Sequence, residues 1–248
     1  MVDAPAVAVE AEAGADDGSA LAALADAALA LMAAAPALLG GALVVGGSLE
    51  CERWARALRA RRPEGPWRRV PVAISEDRLF GGLDVAETLS RGERVIARGL
   101  LAESDGGVLV LGRAADAGPA LVSALAQVLD DGTVRLERDG LSAVHPARVG
   151  VVALAGADER DQVPVALAER LALHVTLPDG YEPADAMESA SGDPAGVELP
   201  RAAAASLCEV AEAFGVDSPR ATLLAARAAR VDAALDGRVR VTDEALTR

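Results

Sequence analysis

Apolar residues fall along this chain in two rhythms. Short uninterrupted Val/Leu runs bounded by glycine read as strands buried on both faces, and longer Ala/Leu stretches with apolar positions three or four apart read as helices. On that basis residues 1–18, rich in Ala, Asp, Glu and Gly without periodicity, are expected to be a disordered leader. A helix over 19–35 follows, ended by Pro36 and the Gly40–Gly41 pair, then a strand at 42–45, a helix at 50–62 and a strand at 70–74. A short helix at 84–90, a strand at 108–111 and an amphipathic helix at 117–130 come next. Two alternating stretches, 133–138 and 141–145, are joined by Asp139-Gly140, a strong hairpin signal. A strand at 149–154, a helix at 163–169 and a strand at 173–177 complete the alternating part. Residues 178–200, rich in Pro, Gly, Ser and acid, read as a linker, before helices at 201–214 and 219–235 and a stub at 242–247. Strands alternating with helices predict a parallel α/β sheet, here followed by a small helical domain. The expected division is a leader to residue 18, an α/β domain over 19–178, a linker over 179–200 and a helical domain over 201–248.

Composition narrows the chemistry. The chain has 248 residues, 24 basic against 38 acidic, a formal charge of −14, and only 2% aromatic residues, so Leu, Val and Ala must build its core. All 24 basic residues are arginine, and there is neither lysine nor asparagine. Schiff-base chemistry, a lysine general base and an intact phosphate-loop lysine are thereby excluded. A net acidic chain also makes a poor nucleic-acid partner, because phosphates require a basic face. Cys51 and Cys208 are far apart, with no CxxC or Cys/His cluster, so reduced thiols in a cytoplasmic protein are expected, with no metal site. No basic, then apolar, signal segment opens the chain. The uncharged stretch 27–49 is interrupted by Pro36, Gly40, Gly41, Gly46 and Gly47, and reads as helix, turn and strand rather than a membrane span.

Strand, glycine turn, helix is the local order in which nucleotide-binding proteins cradle phosphate. The pattern Gly41-Ala-Leu-Val-Val-Gly46-Gly47-Ser48 is a false match, since its variable positions are the strand itself. The loop proper would run from Gly46 to Arg53, and Glu52 or Arg53 stands where the lysine belongs. A glutamate there repels a β- or γ-phosphate.

The segments Arg78-Leu-Phe-Gly-Gly-Leu-Asp-Val-Ala-Glu-Thr-Leu89, Gly99-Leu-Leu-Ala-Glu103 and Gly107-Val-Leu-Val-Leu111 resemble the AAA+ module of the magnesium chelatases. So do Val134-Arg-Leu-Glu-Arg-Asp-Gly-Leu141, His145-Pro-Ala-Arg148 and Leu167-Ala-Glu-Arg-Leu-Ala-Leu-His-Val175. The likeness extends from about residue 20 to the end, and is to the D subunit (BchD/ChlD type) rather than the ATP-hydrolysing I subunit. It implies a P-loop NTPase-like AAA+ fold with β-hairpin insertions and a helical lid.

Within that resemblance, Gly112-Arg113 replaces the acidic pair that holds Mg²⁺, and Gly156 replaces the sensor amide. Arg170 matches the family's arginine finger, offered in trans to a neighbour's phosphate, and Arg220 matches the sensor-2 arginine, a nucleotide contact. The plainer alternatives are a helix C-terminal arginine for Arg170 and a surface charge for Arg220. Leu83-Asp84-Val85 looks like an acidic ligand for an integrin I domain, unless Asp84 simply caps the next helix. His145 and His174 are read as structural. The resemblance implies a non-hydrolysing platform that binds no cofactor tightly and joins a ring with the I subunit, which uses MgATP. Together they would serve the H subunit in inserting Mg²⁺ into protoporphyrin IX. The family's acidic linker and integrin I domain are not found before Arg248, so a shortened chain is expected. The competing readings are a diverged AAA+ ATPase and an adaptor of a MoxR-like or cobaltochelatase complex.

Overall fold

The computed structural model describes residues 17–138, 141–185 and 192–242. In chain order the elements begin with α1 (Asp17–Ala34), α2 (Pro36–Leu39), β1 (Gly41–Val45), α3 (Ser48–Arg61), β2 (Trp67–Arg69), α4 (Glu76–Phe80), β3 (Gly81–Leu83) and α5 (Val85–Arg91). They continue with β4 (Ile96–Arg98), α6 (Leu100–Glu103), β5 (Val108–Leu111), α7 (Pro119–Asp131), β6 (Thr133–Arg138) and β7 (Leu141–Pro146). The last are β8 (Gly150–Ala155), α8 (Val165–Ala168), β9 (Leu173–Thr176), α9 (Arg201–Ala213) and α10 (Pro219–Leu235).

Five strands form one parallel sheet in the order β2-β5-β8-β1-β9. Every residue of β1, β5 and β8 is buried, which explains why these strands read as unbroken apolar runs. Alternate side chains enter two cores. Leu43, Val45, Leu109, Leu111, Val151 and Ala153 meet Leu121 and Leu125 of α7, Leu101 of α6 and Leu167 of α8. On the other face Ala42, Val44, Val108, Val110, Val152 and Leu154 meet Leu29 and Met32 of α1, Trp54 and Leu58 of α3, and Val231 of α10. Trp54 is fully buried and its indole N–H donates to Ala25 O (3.0 Å), tying α3 to α1. Two antiparallel strand pairs, β3-β4 with α5 between its strands and β6-β7, stand outside the sheet. The α/β fold expected from the sequence is the observed one.

Several local expectations are corrected. Helix α1 starts inside the expected leader, at Asp17; residues 1–16 lie outside the described residues. The strand expected at 70–74 is β2, three residues earlier, paired Trp67↔Val108 to Arg69↔Val110. Val70 N–H makes the last bond, to Val110 O (2.9 Å), and Pro71 has no N–H to continue, so the chain turns. The pair β3-β4 and helices α4 and α6 had no expectation, because three-residue strands and single-turn helices carry no period. The expected Asp139-Gly140 turn lies outside the described residues, although β6 and β7 pair in register on either side, from Thr133↔Pro146 to Arg138↔Leu141.

Part of the expected linker is packed structure. Val197 is buried with Ala203, Ala229, Ala233 and Val241, and Glu198 bonds across to residues 239 and 241, Glu198 N–H to Val239 O (2.9 Å) and Val241 N–H to Glu198 O (3.0 Å). Residues 186–191, and the stub expected at 242–247 beyond Thr242, lie outside the described residues. Helix α10 also packs on α1 and α2. Its Val231 belongs to the second core, so the helical region shares an interior with the sheet.

Candidate functional site: a glycine loop after the first strand and a separate arginine cleft

Adjacent parallel strands β1, β5 and β8 end on one edge, which brings Gly46, Gly112 and Gly156 to the crevice where open α/β sheets bind ligands. Gly46 N–H donates to Ala155 O (3.2 Å), and Gly47 is the N-cap of α3. Glu50, in the first turn of α3, folds back so closely that a Cβ on Gly47 would strike its Oε2. Its carboxylate therefore occupies the end of the helix that otherwise attracts an anion. Glu52 receives two hydrogen bonds from Arg69, Nη1 to Oε1 (2.9 Å) and Nη2 to Oε2 (2.5 Å). Those bonds hold the Glu52 carboxyl below its ordinary range and raise the Arg69 guanidinium. Arg53 donates to Tyr181 O (3.4 Å) and pairs with Glu182 (3.1 Å).

Gly112 stands near this loop: a Cβ there would lie 3.7 Å from Arg69 Nη1. Arg113 turns away and pairs with Asp116. Gly156 N–H is capped by Glu159 Oε2 (3.0 Å). Among the described residues, the loop carries two glutamates, and Arg53, Arg69 and Arg113 around it are already paired with carboxylates, which does not fit a magnesium-bound triphosphate. Among the described residues no cluster of His, Cys, Asp and Glu could hold a metal ion.

The two remaining site arginines come together elsewhere. Arg170, following α8, and Arg220, in the first turn of α10, lie 50 positions apart in sequence and share the carboxylate of Asp130 at the end of α7. Arg170 Nε and Nη2 donate to Asp130 Oδ2 (3.0 and 2.7 Å), while Arg220 Nη1 donates to Asp130 Oδ1 (2.6 Å). Arg170 Nη1 also donates to Ala166 O (2.6 Å) and Glu169 Oε1 (2.7 Å). Partial burial pushes the Asp130 carboxyl up, but hydrogen bonds and charge from Arg170 and Arg220 more than offset this and hold it below the usual range. The cleft they line, about 320 Å³, is completed by Gly40, Leu129, Leu223, Leu224 and Arg227. Gly40 is the pivot of its floor: φ is +69°, and a Cβ there would collide with the Arg170 carbonyl oxygen.

Asp84 caps α5, accepting from Glu87 N–H (2.9 Å), while Leu83 beside it is exposed. Capping accounts for the aspartate without an external ligand, and the Val85 side chain lies outside the described residues. His174 Nε2 lies 3.1 Å from Ala168 O in the interior. His145 Nε2 is buried without a hydrogen-bond partner, although its residue is only partly covered.

Glu50, Arg69, Asp130 and Arg227 were missed in the sequence. A signal existed for Asp130: paired acids at a helix C-terminus oppose the helix dipole, so Asp130-Asp131 implies cations brought from elsewhere. Arg227 follows Arg220 at i+7 on the same helical face. Arg69 and Glu50 had no comparable signal, because their roles come from strand pairing and a side-chain rotamer.

Known proteins agree with this architecture. The AAA lid domain family matches residues 204–248. The chain is 39% identical to the magnesium-chelatase 60 kDa subunit of Cereibacter sphaeroides over 194 residues, which is 74% of this chain and 31% of that protein. It is 38% identical to the 67 kDa subunit of Chlorobaculum parvum over 127 residues, 50% of this chain and 20% of the relative. It is also 35% identical to the 38 kDa subunit of Rhodobacter capsulatus over 126 residues, 50% of this chain and 36% of the relative. Subunits of both size classes therefore match, and the chain spans about a third or less of the length of the larger ones. No helix among the described residues is long and apolar enough to cross a membrane. The chain is an α/β module of the AAA+ fold carrying an AAA lid domain, similar over as much as three-quarters of its length to magnesium-chelatase subunits.

Proposed function

We propose that this chain is the AAA+ part of a magnesium-chelatase D-type subunit: a platform that does not hydrolyse ATP and acts on nucleotide held by a neighbouring I subunit. In that role it would help couple hydrolysis to Mg²⁺ insertion into protoporphyrin IX by the H subunit, the ligase reaction that begins (bacterio)chlorophyll synthesis. The observation that carries the reading is the contrast between the two sites. Glu50 and the Glu52–Arg69 pair fill the chain's own phosphate loop, while Arg170, Arg220 and Arg227 gather in an open cleft away from it. A guanidinium cluster apart from the chain's own glycine loop is suited to charge developing on a partner's phosphoryl group.

Two measurements test this. A fluorescent ATP analogue titrated with Mg²⁺ into the isolated chain is expected to show no saturable binding up to about millimolar, the upper end of ordinary nucleotide-site affinities. Mixed with a 38 kDa-type ATPase subunit, the chain is expected to change ATP turnover, and Arg220→Ala to remove that change. Micromolar binding by the isolated chain, or turnover indifferent to its presence, overturns the proposal.

A further inference from the structure

Positive charge is gathered at one edge of the sheet. Residues 53–69 hold seven of the chain's 24 arginines against a single acid, Glu64, in a chain of formal charge −14. Two of them are neutralised, Arg69 by Glu52 and Arg53 by Glu182. Among the described residues no carboxylate lies within ion-pair distance of Arg56, Arg59, Arg62 or Arg68. Arg56 Nε donates to Glu52 O (3.3 Å), and Arg59 Nη1 to Arg62 O (3.1 Å) and Gly65 O (3.2 Å). Arg62 donates to Ala33 O (2.8 Å) and Gly106 O (3.3 Å). These neutral carbonyls satisfy donors but leave the charge in place.

The same arginines flank an open strand edge. β2 ends the sheet order, so one side of its backbone faces β5 and the other faces no strand. Pro66 O and Val70 N–H bond to Val108 N–H and Val110 O (both 2.9 Å). The alternation of a parallel ladder then turns the backbone groups of Arg68 towards β5 and those of Trp67 and Arg69 outward. Among the described residues, Trp67 and Arg69 make no backbone hydrogen bond on that outer side. Side chains alternate as well. Trp67 lies beneath Arg59, whose Cζ is 5.8 Å from the ring centroid, and Arg69 meets Glu52, so both stand on the α3 side. Arg56, one turn before Arg59, continues that row and is exposed, while Arg68 is exposed on the opposite face. The end of the edge at Trp67 and Arg59 lies where β5 begins, opposite the strand ends that gather Gly46, Gly112 and Gly156.

We infer that the outer edge of β2 is a docking site for an extended acidic segment of a partner polypeptide. Its main chain adds to β2, and its carboxylates meet Arg56 and Arg59 on one face and Arg68 on the other. An added strand presents side chains to both faces at once, which matches the placement of these arginines. Outward N–H and C=O groups select a polypeptide over a lipid surface or a nucleic acid, neither of which offers the alternating partners they need. Unneutralised arginines select acid, and charge on a short edge also discourages uncharged strands, so the edge is selective.

Fluorescence anisotropy tests it, with the full chain titrated into a labelled peptide of Glu-Glu-Val-Thr repeats, about ten residues long to match an ordinary strand. Saturable binding that weakens with added salt is expected. Arg56→Ala and Arg68→Ala are each expected to weaken it about 1.5- to 5-fold, the range of an exposed ion pair, and the double variant by about the product, since the two lie on opposite faces. Arg56→Gln and Arg68→Gln repeat the comparison should an alanine variant fold poorly. The same peptide N-methylated at alternate amides keeps its charge but loses main-chain donors, and is expected to bind at least about fivefold more weakly. Equal binding of the methylated peptide overturns strand addition. Absent binding, or binding indifferent to both variants, overturns the site. Tighter binding of phosphatidylglycerol vesicles or single-stranded DNA through the same arginines overturns the class of partner. Peptide binding that appears only after removal of residues 1–16, which carry Asp3, Glu10, Glu12 and Asp16 and no arginine, overturns the separate partner in favour of the chain's own segment.

Discussion

Replacing Gly40 by alanine probes the joint between the sheet and the arginine cleft. Gly40 has φ +69°, and its carbonyl accepts from Val151 N–H (2.9 Å) while the preceding Leu39 carbonyl accepts from Ala172 N–H (3.0 Å). An L-residue in this left-handed region costs about 1–2 kcal/mol. The new methyl would also lie well inside contact distance of the Arg170 carbonyl oxygen, a backbone atom with no rotamer by which to escape. Relief requires Gly40 and the 170–172 segment to separate, weakening the Ala172–Leu39 hydrogen bond between them, worth about 1 kcal/mol net. Alanine's reduced freedom in the unfolded chain returns about 0.4–1 kcal/mol. The expected loss is therefore about 1–3 kcal/mol, or roughly 2–12 °C in Tm for a chain of this size. Urea unfolding followed by fluorescence of the buried Trp54 measures it. A loss below about 0.5 kcal/mol, the range of an ordinary surface substitution, would refute the close approach of Gly40 to Arg170. The wrong sign would do so more strongly.

Other expectations follow from burial. Burial and the neighbouring Glu50 and Glu52 charges push the Cys51 thiol up to about 11, whereas Cys208 is exposed. A thiol reagent at neutral pH is accordingly expected to modify Cys208 at once and Cys51 only with unfolding; two fast thiols in the native protein would contradict this packing. His174 is pushed down by burial, opposed only in part by the Ala168 carbonyl. The unfolded chain takes up that proton near pH 6.5 and the folded chain resists it. Stability is thus full above this pH and declines as pH is lowered through it. Urea midpoints for the wild type and His174→Gln, compared between about pH 7 and 5.5, should show the shallower slope in the variant, and parallel slopes would exclude His174 as the cause.

Legibility in the sequence followed the range of the physics. The runs of β1, β5 and β8 were readable because burial on both sheet faces demands uninterrupted apolar residues, and α10 was readable because Ser218 and Pro219 mark its start. The absence of lysine and the glycines at 112 and 156 were legible too, since they are properties of residue type alone. Strand β2 was misplaced because Val70–Ile74 matches strand composition locally, while register depends on which residues reach β5. The likeness to chelatase subunits was likewise visible in short motifs, whose order survives without any knowledge of contacts.

By itself, then, the sequence determined the alternating α/β order, the arginine-only basic chemistry and the absence of lysine, all properties of residue type and local period. Only the tertiary structure decided that Glu50 would fold back on Gly47 and that Glu52 would pair with Arg69 at the loop. It also joined Arg170 and Arg220 through Asp130, 40 and 90 positions away respectively. Such pairings depend on where three separate helices end after packing, and no periodicity along the chain encodes a distance between elements that meet only across the folded core.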